Sequence, residues 1–167
     1  MFRYQLIPRV LCFVRSGSQV LLLKGAADKK VWPGKYNALG GHVERGETVH
    51  AAAAREIEEE AGVQVANLRL RGVITVDDAA EAAGEAGVGL FIFTAQALSR
   101  ELAASPEGVP EWVSPGQVSS LNTVEDLPVL LSHLERLPAD APPFSAHYRY
   151  DTSGQLAIEF FSARTRD

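Results

Sequence analysis

Apolar residues fall in short blocks along this chain, and the blocks alternate between a strand-like and a helix-like period. Residues 4–15 and 19–24 are rich in Val, Leu, Ile and Phe, and Ser16-Gly17-Ser18 separates them, a pattern that predicts a β-hairpin. Residues 25–35 are polar and contain Pro33-Gly34, so they read as a loop, and 36–39 reads as a short strand. Residues 48–61 carry helix signals at both ends. Thr48 can cap the N-terminus, the Ala51-Ala52-Ala53-Ala54 run has the highest helix propensity, and Gly62 is a stop signal. Residues 68–76 and 88–97 are β-branched or aromatic in character and read as a second strand pair, joined by the small, acidic stretch 77–87. A short strand is predicted at 111–113. A second helix is predicted at 125–137, where Val129, Leu130, Leu134 and Leu137 recur at helical spacing. A stiff Pro-rich connector, 138–143, leads to a closing hairpin in which 144–150 and 155–162 flank Asp151-Thr152-Ser153-Gly154. Mixed strands with two helices in a single domain, 1–167, point to an α+β chain or α/β/α sandwich layering.

Composition narrows this picture. The 167 residues are 46% hydrophobic and 22% charged, which excludes a disordered or collagen-like chain. Sixteen Lys plus Arg against 21 Asp plus Glu leave a net charge of -5, which argues against general nucleic-acid binding. A small anionic ligand then needs something local, such as a metal ion, to offset the acid. Cys12 is the one cysteine, so an intramolecular disulfide, a four-Cys zinc site and CxxC redox chemistry are excluded. Its apolar surroundings predict a buried, inert thiol. With no signal-peptide pattern and no apolar run long enough for a membrane span, the expectation is a cytoplasmic protein without a membrane partner. Monomer and homodimer are both open.

The chemistry is concentrated in residues 40–63. On a helix, Glu56, Glu59 and Glu60 stand at i, i+3 and i+4 and share one face, while Ala53, Ile57 and Ala61 form an adjacent apolar stripe that can pack on a sheet. Glu58 points away. Like charges at this spacing repel by roughly 0.2–0.5 kcal/mol per pair, and a hard divalent cation with oxygen ligands would relieve that cost. Gly40-Gly41 precedes the helix and lets the backbone approach a ligand. Arg55 and Glu47 are placed to form an ion pair tying the loop to the helix.

This segment resembles the signature of the Nudix hydrolases, G-x5-E-x7-R-E-U-x-E-E-x-G-U with U aliphatic. Gly41, Glu47, Arg55, Glu56, Ile57, Glu59, Glu60, Gly62 and Val63 fill every specified position of this box, residues 41–63. From average residue frequencies, a chance match is on the order of 10⁻⁷ or less, so the resemblance is specific. It implies a metal-dependent hydrolase that cuts a diphosphate linked to a nucleoside or similar group, on a Nudix-like fold with a mixed β-sheet between helices. It also implies that Glu56, Glu59 and Glu60, with the carbonyl of Gly40, hold Mg²⁺ or Mn²⁺, and that Glu59 or Glu56 orients or deprotonates the attacking water.

Other segments speak to the substrate. Within the family the chain is similar to the MutT-type nucleoside triphosphate diphosphatases that remove oxidised purines such as 8-oxo-dGTP. Lys35-Tyr36-Asn37-Ala38-Leu39-Gly40-Gly41 resembles a KGxWNxxGG segment in which the Asn, here Asn37, reads the base. The segment from Glu107 to Val113 resembles a loop and strand whose first Glu is a further metal ligand, with Glu101 as the rival. Asp126-Leu127-Pro128-Val129 resembles the start of the second helix, and the closing hairpin is also similar. The group's eukaryotic members carry an Asp pair where this chain has Asn122 and Thr123, so Asn122 is the second candidate for reading the base, and Tyr36 replaces a Trp. The resemblance therefore implies hydrolysis of a purine nucleoside triphosphate to a monophosphate and pyrophosphate. The alternatives are another diphosphate-linked nucleoside, such as a dinucleoside polyphosphate or ADP-ribose, and a non-catalytic nucleotide-binding module. Trp32 and Trp112 are read as packing residues.

Overall fold

A computed structural model describes residues 3–78 and 86–161, with only the backbone of Asp78. Nine strands form one mixed sheet: β1 (Leu6–Ser16), β2 (Gln19–Gly25), β3 (Tyr36–Asn37), β4 (Leu39–His42), β5 (Val65–Asp78), β6 (Gly87–Ala97), β7 (Gly108–Val113), β8 (Phe144–Tyr150) and β9 (Leu156–Phe161). Helix α1 (Val49–Ala61) lies on one face and α2 (Leu127–Arg136) on the other, with a short 3₁₀ turn at Pro115–Ser120.

The strand order is β3-β2-β1-β6-β5-β8-β9, with β4 also on β1 and β7 also on β2. The hairpins β1–β2, β5–β6 and β8–β9 are antiparallel, while β1–β6 and β5–β8 run parallel. A parallel pair needs a long crossover, and α1 and α2 lie on the two connections that return the chain to the sheet. β1 shows why the layers form. Val10, Cys12 and Val14 point to the α1 side and Leu11 and Phe13 to the α2 side, and all five are buried. A strand covered on both faces reads as a continuous apolar run instead of an alternating one. Cys12 lies inside this run, and burial pushes its thiol well above its ordinary pKa.

The ends of α1 follow the sequence signals. The Thr48 hydroxyl accepts the N–H of Ala51, and Gly62 closes the helix at φ 68°, a left-handed conformation suited to glycine. Several boundaries differ from the sequence reading. The strand expected at 36–39 divides at Ala38, so that β3 pairs with β2 and β4 with β1. β5 begins earlier, at Val65, because two register shifts near Asn67 and Arg71 let it continue past local irregularity. β7 begins at Gly108, and α2 begins at Leu127. The acidic stretch expected between the second strand pair falls mostly on 79–85, outside the described residues, as does Ser162.

One buried cation belongs to the scaffold. Arg71 donates to the carbonyls of Pro138 (2.7 Å) and Ala139 (2.8 Å), fixing the connector between α2 and β8. Among the described residues no helix is long and apolar enough to cross a membrane.

Candidate active site

Small residues on α1 bring its acids to the sheet. Ala52, Ala53, Ile57 and Ala61 are fully buried, so the helix sits close to β1 and β4. Glu60 is only 5% exposed, and its Oε2 accepts the N–H of Gly40 at 2.9 Å. Glu56 lies against Gly41 so closely that a Cβ there would overlap its carboxylate. A Cβ on Gly40 would likewise overlap the carbonyl of Val10. The two glycines are thus needed for close approach.

Arg55 gathers the remaining charges. Its Nη2 and Nε donate to Glu47 at 2.8 and 3.2 Å, its Nη1 to Glu56 at 2.9 Å and Glu59 at 3.1 Å, and Nη2 also to the carbonyl of His42 at 3.0 Å. Glu47 also accepts the N–H of Glu44 at 2.7 Å. These bonds, those from Arg55 first, hold the Glu47 carboxyl below its ordinary pKa and raise that of Arg55. A planar fork suits this task better than a point charge. Glu59 is exposed, and Glu58 faces solvent.

Burial pushes the Glu60 carboxyl up to about 7; the Gly40 N–H opposes the shift and the charge of Glu56 adds to it. Lys29 lowers it and Glu107 raises it, which places both within electrostatic reach. Lys29 Nζ lies 2.5 Å from Glu107. Glu107 is thus paired with a lysine of the 25–35 loop. Glu101 is exposed, and its backbone N–H donates to the Ser99 hydroxyl at 3.1 Å.

Among the described residues no three Asp, Glu, His or Cys side chains close around one ion position. The donor set nevertheless fits a hard divalent cation. It consists of carboxylates with a partly desolvated member, beside a backbone opened by two glycines, and oxygen donors of this kind suit Mg²⁺ or Mn²⁺.

A cavity of about 650 Å³ opens beside Gly40. That volume is in the range of small-molecule sites. Its lining includes Asn37, Gly40, Asp126 and Tyr148, with Arg9 and Trp32 also contributing. Asn37 is oriented: its Oδ1 accepts the N–H of Ala38 at 2.8 Å, so its amide group is left to donate. Asn122 does not line the cavity. Its side chain is exposed, and its carbonyl accepts the N–H of Tyr36 at 2.9 Å. That bond and the one from Val124 N–H to the Tyr36 carbonyl (3.0 Å) join the start of α2 to β3.

Trp32 corrects the packing reading. It is 47% exposed at the cavity rim, with φ 52°. Trp112 does pack, with its indole N–H on the Arg100 carbonyl at 3.1 Å and the Arg100 guanidinium 5.0 Å over its ring. Lys29, Asp126 and Tyr148 went unnoticed as site residues in the sequence. An Asp beside a predicted helix start reads as a cap, and a Tyr in an apolar strand reads as core.

Relatives bear on this arrangement. The NUDIX domain family model matches residues 5–134. An oxidized purine nucleoside triphosphate hydrolase of Danio rerio is 37% identical over 113 residues, covering 67% of this chain and 67% of that protein. An NAD-capped RNA hydrolase NudC of Pseudomonas aeruginosa is 43% identical over 68 residues, 41% of this chain, and the chain spans only 23% of that protein's length. A MutT protein from Bacillus halodurans shares the fold with a TM-score of 0.72 and 24% identity, over 93% of this chain and 97% of that one. With the family model covering more than half of its length and the signature glycines and acids assembled on one side of the sheet, the chain belongs to the NUDIX domain family.

Proposed function

We infer that this hydrolase acts on a purine nucleoside triphosphate, oxidised purines included, releasing the monophosphate and pyrophosphate. The observation that carries this reading is Gly40, which lines the cavity and also donates its N–H to Glu60. A polyphosphate at the acidic cluster therefore continues into the cavity as a nucleoside.

When bound, Mg²⁺ or Mn²⁺ neutralises phosphoryl oxygens and acidifies water, the chemistry that phosphoanhydride hydrolysis needs. Glu56, Glu59 and Glu60 are assigned to hold it, with the Gly40 carbonyl. Glu107, which pairs with Lys29 here, would join them when substrate is bound. Glu59 or Glu56 takes the proton of the attacking water, and the α–β anhydride bond breaks. Arg55 and Glu47 keep the acids in place. Asn37 donates to the base, and Asn122, through its backbone, holds the strand that carries Asn37. The whole of residues 1–167 serves as one cytoplasmic domain.

The Danio rerio relative, matched over two thirds of both chains, supports the triphosphate reading over that of the RNA-cap hydrolases, whose match is confined to a short segment. The test is a panel of nucleotides with Mg²⁺ and product analysis. Purine triphosphates should give monophosphate and pyrophosphate, and Asn37→Leu should raise their KM roughly tenfold or more, the cost of one unpaired polar group. Release of orthophosphate from triphosphates, or turnover restricted to dinucleotides, overturns this reading.

A further inference from the structure

Tyr148 is 2% exposed and sits mid-strand in β8, paired with Val76 of β5 and Ile158 of β9. Its ring belongs to the core on the α2 side. Among the described residues its hydroxyl has no hydrogen-bond partner, yet Tyr148 lines the cavity. A buried hydroxyl without a partner costs folding free energy, and phenylalanine would fill the same space without that cost. The group is therefore better explained by something that enters the cavity than by the fold.

Asp126 supplies a second, independent observation. It occupies the N-cap position of α2 but makes no side-chain capping bond, although Asp is among the residues best suited to that task. It lines the same cavity instead. The β3–Val124 bonds described above place it near Asn37 in the chain's folded path, since Tyr36 is bonded to Val124 and Asn122. Burial raises the Asp126 carboxyl above its ordinary pKa, and its charge in turn acts on Tyr148.

We propose that the Tyr148 hydroxyl and the Asp126 carboxyl are specificity-determining groups that read the polar edge of the substrate's base together with the Asn37 amide. The inference rests on the nucleotide reading of the cavity. Its chemistry is complementary: Asn37 donates, an ionised Asp126 accepts, and Tyr148 does either. A nucleobase edge carries donors and acceptors side by side and can satisfy all three. β8 is a rigid mount for such a group, because it is bonded on both sides.

The experiment compares wild type, Tyr148→Phe and Asp126→Asn on GTP, ATP, CTP and UTP with Mg²⁺, and measures the Tm of each metal-free protein. Tyr148→Phe should leave Tm unchanged or higher while raising KM for the preferred base about tenfold, with kcat little altered. Asp126→Asn should shift the kcat/KM ratio between GTP and ATP about tenfold or more, with the same products. Unchanged KM and unchanged base ratios in both variants overturn the proposal. So does a lower Tm for Tyr148→Phe with equal losses on all four nucleotides, which marks a structural hydroxyl. Base-independent hydrolysis by the wild type overturns this proposal alone, whereas no hydrolysis of any nucleotide overturns the nucleotide reading and this proposal with it.

Discussion

The two helices occupy opposite faces of one sheet and use their first residues in different ways. At the start of α1, Thr48 caps the helix with its hydroxyl. At the start of α2, Asp126 makes no side-chain cap. The difference follows from what each helix buries. α1 buries three alanines and one isoleucine, which contribute little apolar area, so its end and its Arg55 network matter more. α2 buries Leu127, Leu130, Leu131 and Leu134, each contributing roughly 1.5–3 kcal/mol. A helix held by leucines can leave its cap residue to other uses. A helix packed through alanines comes close to the sheet, which brings Glu56 and Glu60 against Gly40 and Gly41.

The strongest way to break this contrast is through the acids of α1. Glu59→Gln and Glu60→Gln should each lower turnover with Mg²⁺ by roughly 10²–10⁴-fold, while the metal-free proteins melt no lower than wild type. Near-normal turnover in both variants would remove the role assigned to this face. Next in size is the residue that organises it. Arg55→Lys keeps the charge but loses the fork that reaches Glu47, Glu56 and Glu59. Metal affinity measured by calorimetry should fall roughly 10–100-fold, the usual range for partners that orient metal ligands.

The third prediction concerns pH. In the metal-free protein the Glu60 carboxyl titrates at about 7, against about 4.5 in the unfolded chain. The folded state therefore binds the proton more tightly, and stability falls as pH rises through this window. A shift of this size corresponds to about 3 kcal/mol. Thermal melts in chelator from pH 4.5 to 8 should show that loss in the wild type and a much smaller one in Glu60→Gln. A wild type with no such fall would place the proton elsewhere. The same proton competes with the cation, so metal should bind more tightly as pH rises to about 7.

The smallest effect sharpens the contrast itself. Thr48→Ala should cost about 1 kcal/mol of stability, the usual loss of a helix cap. Asp126→Ala should cost close to nothing or stabilise, since no capping bond is lost and a partly desolvated carboxyl disappears. Equal destabilisation by both in urea melts would mean that Asp126 supports α2 after all.

Much of α1 was legible because its information is local. Caps, alanine run, acidic spacing and the Arg55–Glu47 separation all lie within residues 40–63, where helical geometry alone decides which side chains meet. The mixed sheet was legible as a class from alternating blocks. Its parallel pairings, and the division of residues 36–39 between two partners, depend on contacts between distant segments and left no periodic trace.

The cavity shows the limit most clearly. Asn37, singled out by a motif, lines the cavity, whereas the Asn122 side chain is exposed and its carbonyl accepts the Tyr36 N–H. Asp126 and Tyr148 lie in segments whose own patterns predict a helix start and a buried strand, and those local readings are correct as far as they go. By itself, the sequence determined the acidic helix, its caps and its glycine turn, because a helix places residues by short-range geometry. Only the tertiary structure decided which polar groups face the cavity, because that depends on β8 crossing beside β5 and on the Tyr36–Val124 bond drawing α2 to β3.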